Sequence, residues 1–151
     1  MKVDGSVKLH APIQKVWDFV LEPSTLQACI PGAESVTRID PKNYEAVIKQ
    51  KVGPISVKMK LHETIVEMTP PTYVKIVGKG EDAMKAGTMT MDMIVNLKEL
   101  AKDDLEVSFS ANAQIVGRLA TFGERIMRAK INQTVKEFTE NLQKKLKELQ
   151  K

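Results

Sequence analysis

Apolar and polar residues alternate over Val3–His10, with Val3, Gly5, Val7 and Leu9 on one side and Asp4, Ser6, Lys8 and His10 on the other. A period of two marks a strand with one buried face. The period then changes. Ala11-Pro12 opens a helix with proline in the first turn, where its missing N–H is no loss. Ile13, Val16, Trp17, Val20 and Leu21 follow at helical spacing and predict one apolar face. Glu22-Pro23-Ser24 ends that helix, and a second short helix is predicted over Ser24–Ala28, stopping at Ile30-Pro31-Gly32.

From Ser35 to Gly117 the period of two returns. The predicted strands are Ser35–Asp40, Asn43–Val52, Ile55–Met68, Thr72–Gly80, Thr88–Leu100 and Leu105–Val116. Turn residues stand at each join (Pro41-Lys42, Gly53-Pro54, Pro70-Pro71, Lys102-Asp103-Asp104), as an antiparallel meander requires. Ile55, Val57, Met59, Leu61 and Ile65 share one face, and Lys58, Lys60 and His62 the other. After Gly117, Met127, Ile131, Val135, Phe138, Leu142, Leu146 and Leu149 recur every three or four residues. They predict a helix over 119–149, about 46 Å long at 1.5 Å per residue. The expected fold class is α+β. A curved antiparallel sheet of about seven strands would wrap a long C-terminal helix in a helix-grip arrangement, with two short helices after strand 1. Residues 1–151 are expected to form a single domain.

Composition narrows the function. The chain has 151 residues, 42% of them hydrophobic, enough for a core of its own. One cysteine excludes an internal disulfide framework and a Cys-based zinc site, and fits a reducing cytosol. No signal peptide or membrane-spanning run is visible, so a cytoplasmic protein is expected. The net charge of +4 is polarised: from Arg118 onward nine basic residues face four acidic ones, a local +5. Aromatic residues are only 5% of the chain, and Phe122 and Phe138 belong to the core pattern. Nucleic-acid binding, which couples basic charge to exposed aromatics or a groove-reading helix, is therefore demoted.

Several segments, in order along nearly the whole chain, carry a resemblance. They are Ala11-Pro12 with Val16-Trp17, the run Leu26–Gly32, Val52-Gly53-Pro54, Pro70-Pro71, Gly78-Lys79-Gly80 with Gly87, and Val116–Ala120 followed by Gly123. On these the chain resembles the family of the CoxG subunit of carbon monoxide dehydrogenase, within the START-like (SRPBCC) superfamily. The resemblance implies a non-enzymatic accessory protein without cofactor. Such a protein would hold a hydrophobic ligand, a quinone or lipid, between sheet and helix. It would aid membrane association of a molybdenum hydroxylase and dock on its other chains. Many members carry a hydrophobic anchor after the grip helix. This sequence ends at Gln150-Lys151 without one, so contact with the inner face of the cell membrane is expected to be peripheral, through the basic C-terminal helix. The alternatives are an enzyme of the same fold, a cyclase or hydrolase acting on a hydrophobic small molecule, and a ligand-free interaction module.

The candidate ligand-cavity residues are Trp17, Met59, Leu61, Met89, Met91, Met93, Phe109, Met127 and Ile131. Flexible thioethers suit a variable apolar ligand, although methionine on a strand also serves as ordinary core. Cavity-mouth loops are expected at Cys29, Pro31 and Gly32, at Gly53 and Pro54, and between Gly80 and Gly87, the last as a mobile lid. Cys29 reads as a small buried hydrophobe, since nothing places a base beside it. His10 and His62 read as surface residues, and no metal-ligand spacing occurs. Glu63 falls on the apolar face between Leu61 and Ile65. Either a carboxylate sits at the cavity rim or a bulge changes the register there; the bulge is preferred, because an unpaired buried carboxylate is costly. Gly123 suggests close approach of the helix to the sheet or the cargo.

Overall fold

The computed structural model describes residues 1–85 and 87–149. The side chain of Leu149, at the end of the predicted stripe, lies outside the described residues, as do Gln150 and Lys151. The elements are β1 (Lys2–His10), α1 (Ile13–Val20), α2 (Pro23–Cys29), β2 (Ala33–Asp40), β3 (Asn43–Val52), β4 (Ile55–Thr69), β5 (Tyr73–Asp82), β6 (Thr88–Ala101), β7 (Asp104–Val116), a 3-10 turn (Arg118–Phe122) and α3 (Gly123–Leu149). All seven strands form one antiparallel sheet in the order β1-β7-β6-β5-β4-β3-β2.

The two prolines before the short helices are placed by the same logic. Pro12 stands at the N-cap of α1 in an extended conformation, and Pro23 is the first residue of α2, so it opens that helix as well as ending α1. The Tyr44 hydroxyl donates to Leu21 O at 2.7 Å and ties the α1–α2 junction to β3.

The last element departs from expectation. The long helix begins at Gly123 rather than 119, after the 3-10 turn. Gly123 has φ +83° and nothing within 4 Å of where a Cβ would stand. Its glycine serves the left-handed backbone at the joint, and the expected close approach to the sheet is absent.

A second correction concerns Glu63. The register runs unbroken through Tyr44↔Glu63 and Glu63↔Gly78, and the irregularity falls later, between Ile65 and Glu67. Val66 is the extra residue and is 46% exposed. Glu63 therefore stays on the helix-side face with Leu61 and Ile65.

The third correction is to the supposed lid. β5 continues through Asp82, so Gly80 lies inside a strand, where its missing Cβ makes room for Leu61 and Met59. Ala83 and Met84 then form a turn. The buried Asp82 carboxylate braces it, accepting from Lys58 N at 2.8 Å and from Met84 N at 3.0 Å.

The core has two centres. One gathers Val16, Trp17, Cys29, Leu105, Leu142 and Leu146 with their neighbours; the other gathers Val52, Val57, Met59 and Leu119. Leu142 and Leu146 are buried, whereas Met127, Ile131, Val135 and Phe138 are half-buried. The C-terminal part of α3 is thus sunk into the first centre, and the rest of its stripe is only partly covered. Leu146→Ala should lower the unfolding free energy by about 2–5 kcal/mol, and Ile131→Ala by clearly less. Urea denaturation of both variants checks the contrast.

Candidate functional site

The space between sheet and α3 is defined by which side chains fail to join either core centre. Met91 and Met93 on β6, Phe109 on β7, and Ile131 and Val135 on α3 are half-buried and, among the described residues, belong to neither. Leu61, Met89 and Met127 rest on the second centre. Trp17 and Met59, 4% and 8% exposed, sit within the two centres and pack as core, because neighbouring apolar side chains enclose them.

Phe109 and Val135 of this set border an opening between β1 and α3. The opening, of about 370 Å³, is lined by Gly5, Val7, Phe109, Val135, Lys136 and Thr139, among others. Hydrogen bonds close it at both ends: His10 N donates to Gln143 Oε1 at 3.0 Å, and the Arg128 guanidinium donates to Lys2 O. Between these ties Gly5 leaves room for the Phe109 ring, which would lie 2.8 Å from a Cβ there. A larger concavity, about 670 Å³, lies on the opposite face of the sheet. The side chains along it include Glu45, Lys60, His62, Lys79 and Glu81, with the backbones of the inward-facing Leu61, Gly80 and Met89 as its floor. It lies away from α3, and its many charged side chains suit an apolar ligand poorly.

The expected mouth loops are held rather than free. Cys29 is completely buried in the first core centre, so it belongs to no loop; burial pushes its thiol up, and Lys145 opposes this weakly. Asn141 Nδ2 donates to Cys29 O at 2.9 Å. Pro31 O accepts from Gln50 Nε2, and Gly32 O accepts from Lys49 N at 2.8 Å. Gly32 has φ +80°, and a Cβ there would lie 2.0 Å from Lys49 O, so glycine is required. Gly53-Pro54 forms the β3–β4 turn, with Phe122 beside Gly53, and Gly87 lies against Leu119.

Glu63 is a polar group on the helix-side face of the sheet. It occupies the row Tyr44–Glu63–Gly78–Met91–Ala113, and its carboxyl lies over Gly78, where a Cβ would come within 2.1 Å of Oε2. Burial raises its pKa to about 7, with no other cause contributing. A strand glycine opposite an inward glutamate was the signal available in the sequence, but it shows only once the pairing is known. The histidines lie elsewhere: His10 Nδ1 is 2.7 Å from Asp104 Oδ1, and His62 Nε2 is 3.1 Å from Asn43 Oδ1, all on exposed surface. Among the described residues no group of three or more His, Cys, Asp or Glu is placed to hold a metal ion. No described helix is long and apolar enough to cross a membrane.

The sequence profile of CoxG, a subunit of carbon monoxide dehydrogenase, matches residues 5–147. The chain belongs to the CoxG family. Among solved structures similar to this CoxG-family chain is a conserved protein from Geobacillus kaustophilus, with TM-score 0.91 and 21% identity over 98% of this chain and 96% of that one. A START superfamily protein from Mycobacterium smegmatis has TM-score 0.76 and 8% identity, covering 98% of each chain. Zhui aromatase/cyclase from a Streptomyces species has TM-score 0.68 and 10% identity over 97% of this chain and 93% of that one. These likenesses establish a START-like helix-grip fold. No curated protein matches the chain.

The Glu63 carboxyl binds its proton more tightly in the folded CoxG-family chain than in the unfolded one. Its contribution to stability is complete below about pH 4.5 and is lost as pH rises through about 7. Glu63→Gln removes this dependence. The variant should gain stability over the wild type by up to about 3 kcal/mol between about pH 4.5 and about pH 8, as read by urea denaturation across that range.

Proposed function

We propose that this CoxG-family chain is a non-enzymatic accessory protein that carries an apolar ligand, a quinone or lipid, between the sheet and α3. The observation that carries the reading is the incompletely covered middle of the grip. Met91, Met93, Phe109, Ile131 and Val135 are half-buried apolar residues that join neither core centre, and Phe109 and Val135 border an opening beside β1. Apolar surface left half-buried gains free energy when a ligand covers it, at roughly 25 cal/mol per Å². Family membership supports service to a carbon monoxide dehydrogenase or related molybdenum hydroxylase.

Peripheral contact with an anionic membrane is part of the same reading. Lys144, Lys145 and Lys147 are exposed on the last turns of α3. At the other end of the helix, Val116 and Ile126 are exposed close in sequence to Arg118 and Arg125, and Met84 is exposed in the segment before Gly87, which lies against Leu119. Apolar tips among basic residues suit a bilayer surface better than lysines alone.

The alternative, an enzyme acting on a hydrophobic small molecule, draws on one observation: a carboxyl raised to about 7 inside the cavity. Turnover of a substrate that is lost in Glu63→Gln would favour it.

Native mass spectrometry after gentle purification should find an apolar compound bound, and the stripped protein should take up added quinone or phospholipid. Ligand-free protein that binds neither would overturn the carrier reading. Sedimentation with anionic vesicles should pull down the wild type at low salt, and Met84→Asp/Ile126→Asp should release it; equal recovery of both proteins would place the contact on the lysines instead.

A further inference from the structure

An apolar cavity binds loosely defined cargo unless something polar fixes one end of it. Glu63 is positioned to do so. On its own strand it stands between Leu61 and Ile65, and its cross-strand neighbours are Tyr44 and Gly78. Gly78 pairs onward to Met91, and Met91 to Ala113. The small residues keep this row low. The carboxyl lies across the bare backbone of Gly78 in the place a side chain would take.

Its hydrogen-bonding capacity is unspent. Among the described residues Glu63 meets neither a hydrogen-bond donor nor a cation, and burial alone accounts for its retained proton. The surrounding elements offer it little. Tyr44 on β3 gives its hydroxyl to Leu21 O, and β5 and β6 present Gly78 and Met91. On α3 the half-buried charged residues are Arg128, Lys130 and Glu137. Arg128 is committed to Lys2 O and Glu124, and neither Lys130 nor Glu137 influences the Glu63 proton. A neutral carboxyl offers one O–H donor beside its acceptor oxygens, and it is the donor that a carbonyl oxygen would engage.

We propose that Glu63, seated over Gly78, is the polar anchor of the sheet–helix cavity and selects apolar ligands that carry a carbonyl oxygen, to which the protonated carboxyl donates. This rests on the carrier reading and sharpens it by naming the chemical class of the cargo. Such an anchor explains why a carboxyl is kept where Leu or Met would pack more stably. It also explains why the residue across from it is glycine.

Fluorescence of N-phenylnaphthylamine, a neutral apolar probe, tests the cavity, and its displacement by methyl nonyl ketone or by undecane tests the anchor. The wild type should prefer the ketone about tenfold at about pH 6, with the preference declining as pH passes about 7. Glu63→Leu should bind ketone and alkane equally while remaining at least as stable as the wild type. Gly78→Ala, whose methyl group takes the carboxyl's place, should lose the preference as well. Glu63→Gln keeps an N–H donor and should show a preference that no longer varies with pH. If the probe binds but the wild type treats ketone and alkane alike, or Glu63→Leu keeps the preference, the anchor is overturned and the carrier reading stands. If neither probe nor competitor binds, both fall.

Discussion

The structure depends on how one amphipathic helix is held at its two ends. An isolated helix with the composition of α3 has little reason to persist in water; its stability must come from packing its stripe. Leu142 and Leu146 supply that at one end, buried in the first core centre. Met127 supplies it at the other, resting on the second. Between these anchors the helix crosses from one centre to the other as a beam, tied to β1 by His10–Gln143 and Arg128–Lys2. The space under the beam follows from this. Had the whole stripe been sunk into the sheet, Ile131, Met91 and Met93 would be ordinary core.

Glu63 sets the helix-side face of the sheet apart from an ordinary core. Apolar voids are lined by apolar groups, and a lone carboxyl raised to about 7 runs against stability. Retaining it there is the kind of local inconsistency that marks a site under functional constraint, where stability is given up for something else. Met91, in the same cross-strand row as Glu63, brings a flexible thioether beside it.

Much of the architecture is legible in the pattern of the chain. Strict alternation places all seven strands to within a few residues, because each strand buries one face only, and Pro12, Pro23 and Gly53 punctuate it. What escapes are features that depend on partners across the sheet. Gly80 reads as a loop residue because strand glycines are uncommon; the structure shows it yielding space to Leu61. Asp82 falls within the expected lid, yet buried hydrogen bonds make it a brace. A bulge at Glu63 is expected on energetic grounds that are sound in themselves, while the actual bulge at Val66 lies where the side chain is free to face solvent. Trp17 and Met91 have equally apolar surroundings in the sequence, so only the two-centred core separates them into packing and lining. The mouth is expected at glycine-rich turns, which are held by hydrogen bonds and packing; the opening beside α3 lies instead at a strand–helix seam, a long-range juxtaposition that no local pattern encodes.

The seam has a consequence for how the protein is made. Five of the six strand pairings join neighbours in sequence, and the sixth joins Lys2 to Asn112 and His10 to Asp104. Non-local pairings close late, after the entropy of the intervening loop has been overcome. During synthesis β1 emerges first and has no partner until β7 follows. Until then Val3, Val7 and Leu9 form an unpaired apolar edge, the kind of segment that recruits other chains. Lys2, Asp4 and Lys8, alternating with them, act as gatekeepers through that interval. The strand that borders the opening is made well before the strand it pairs with.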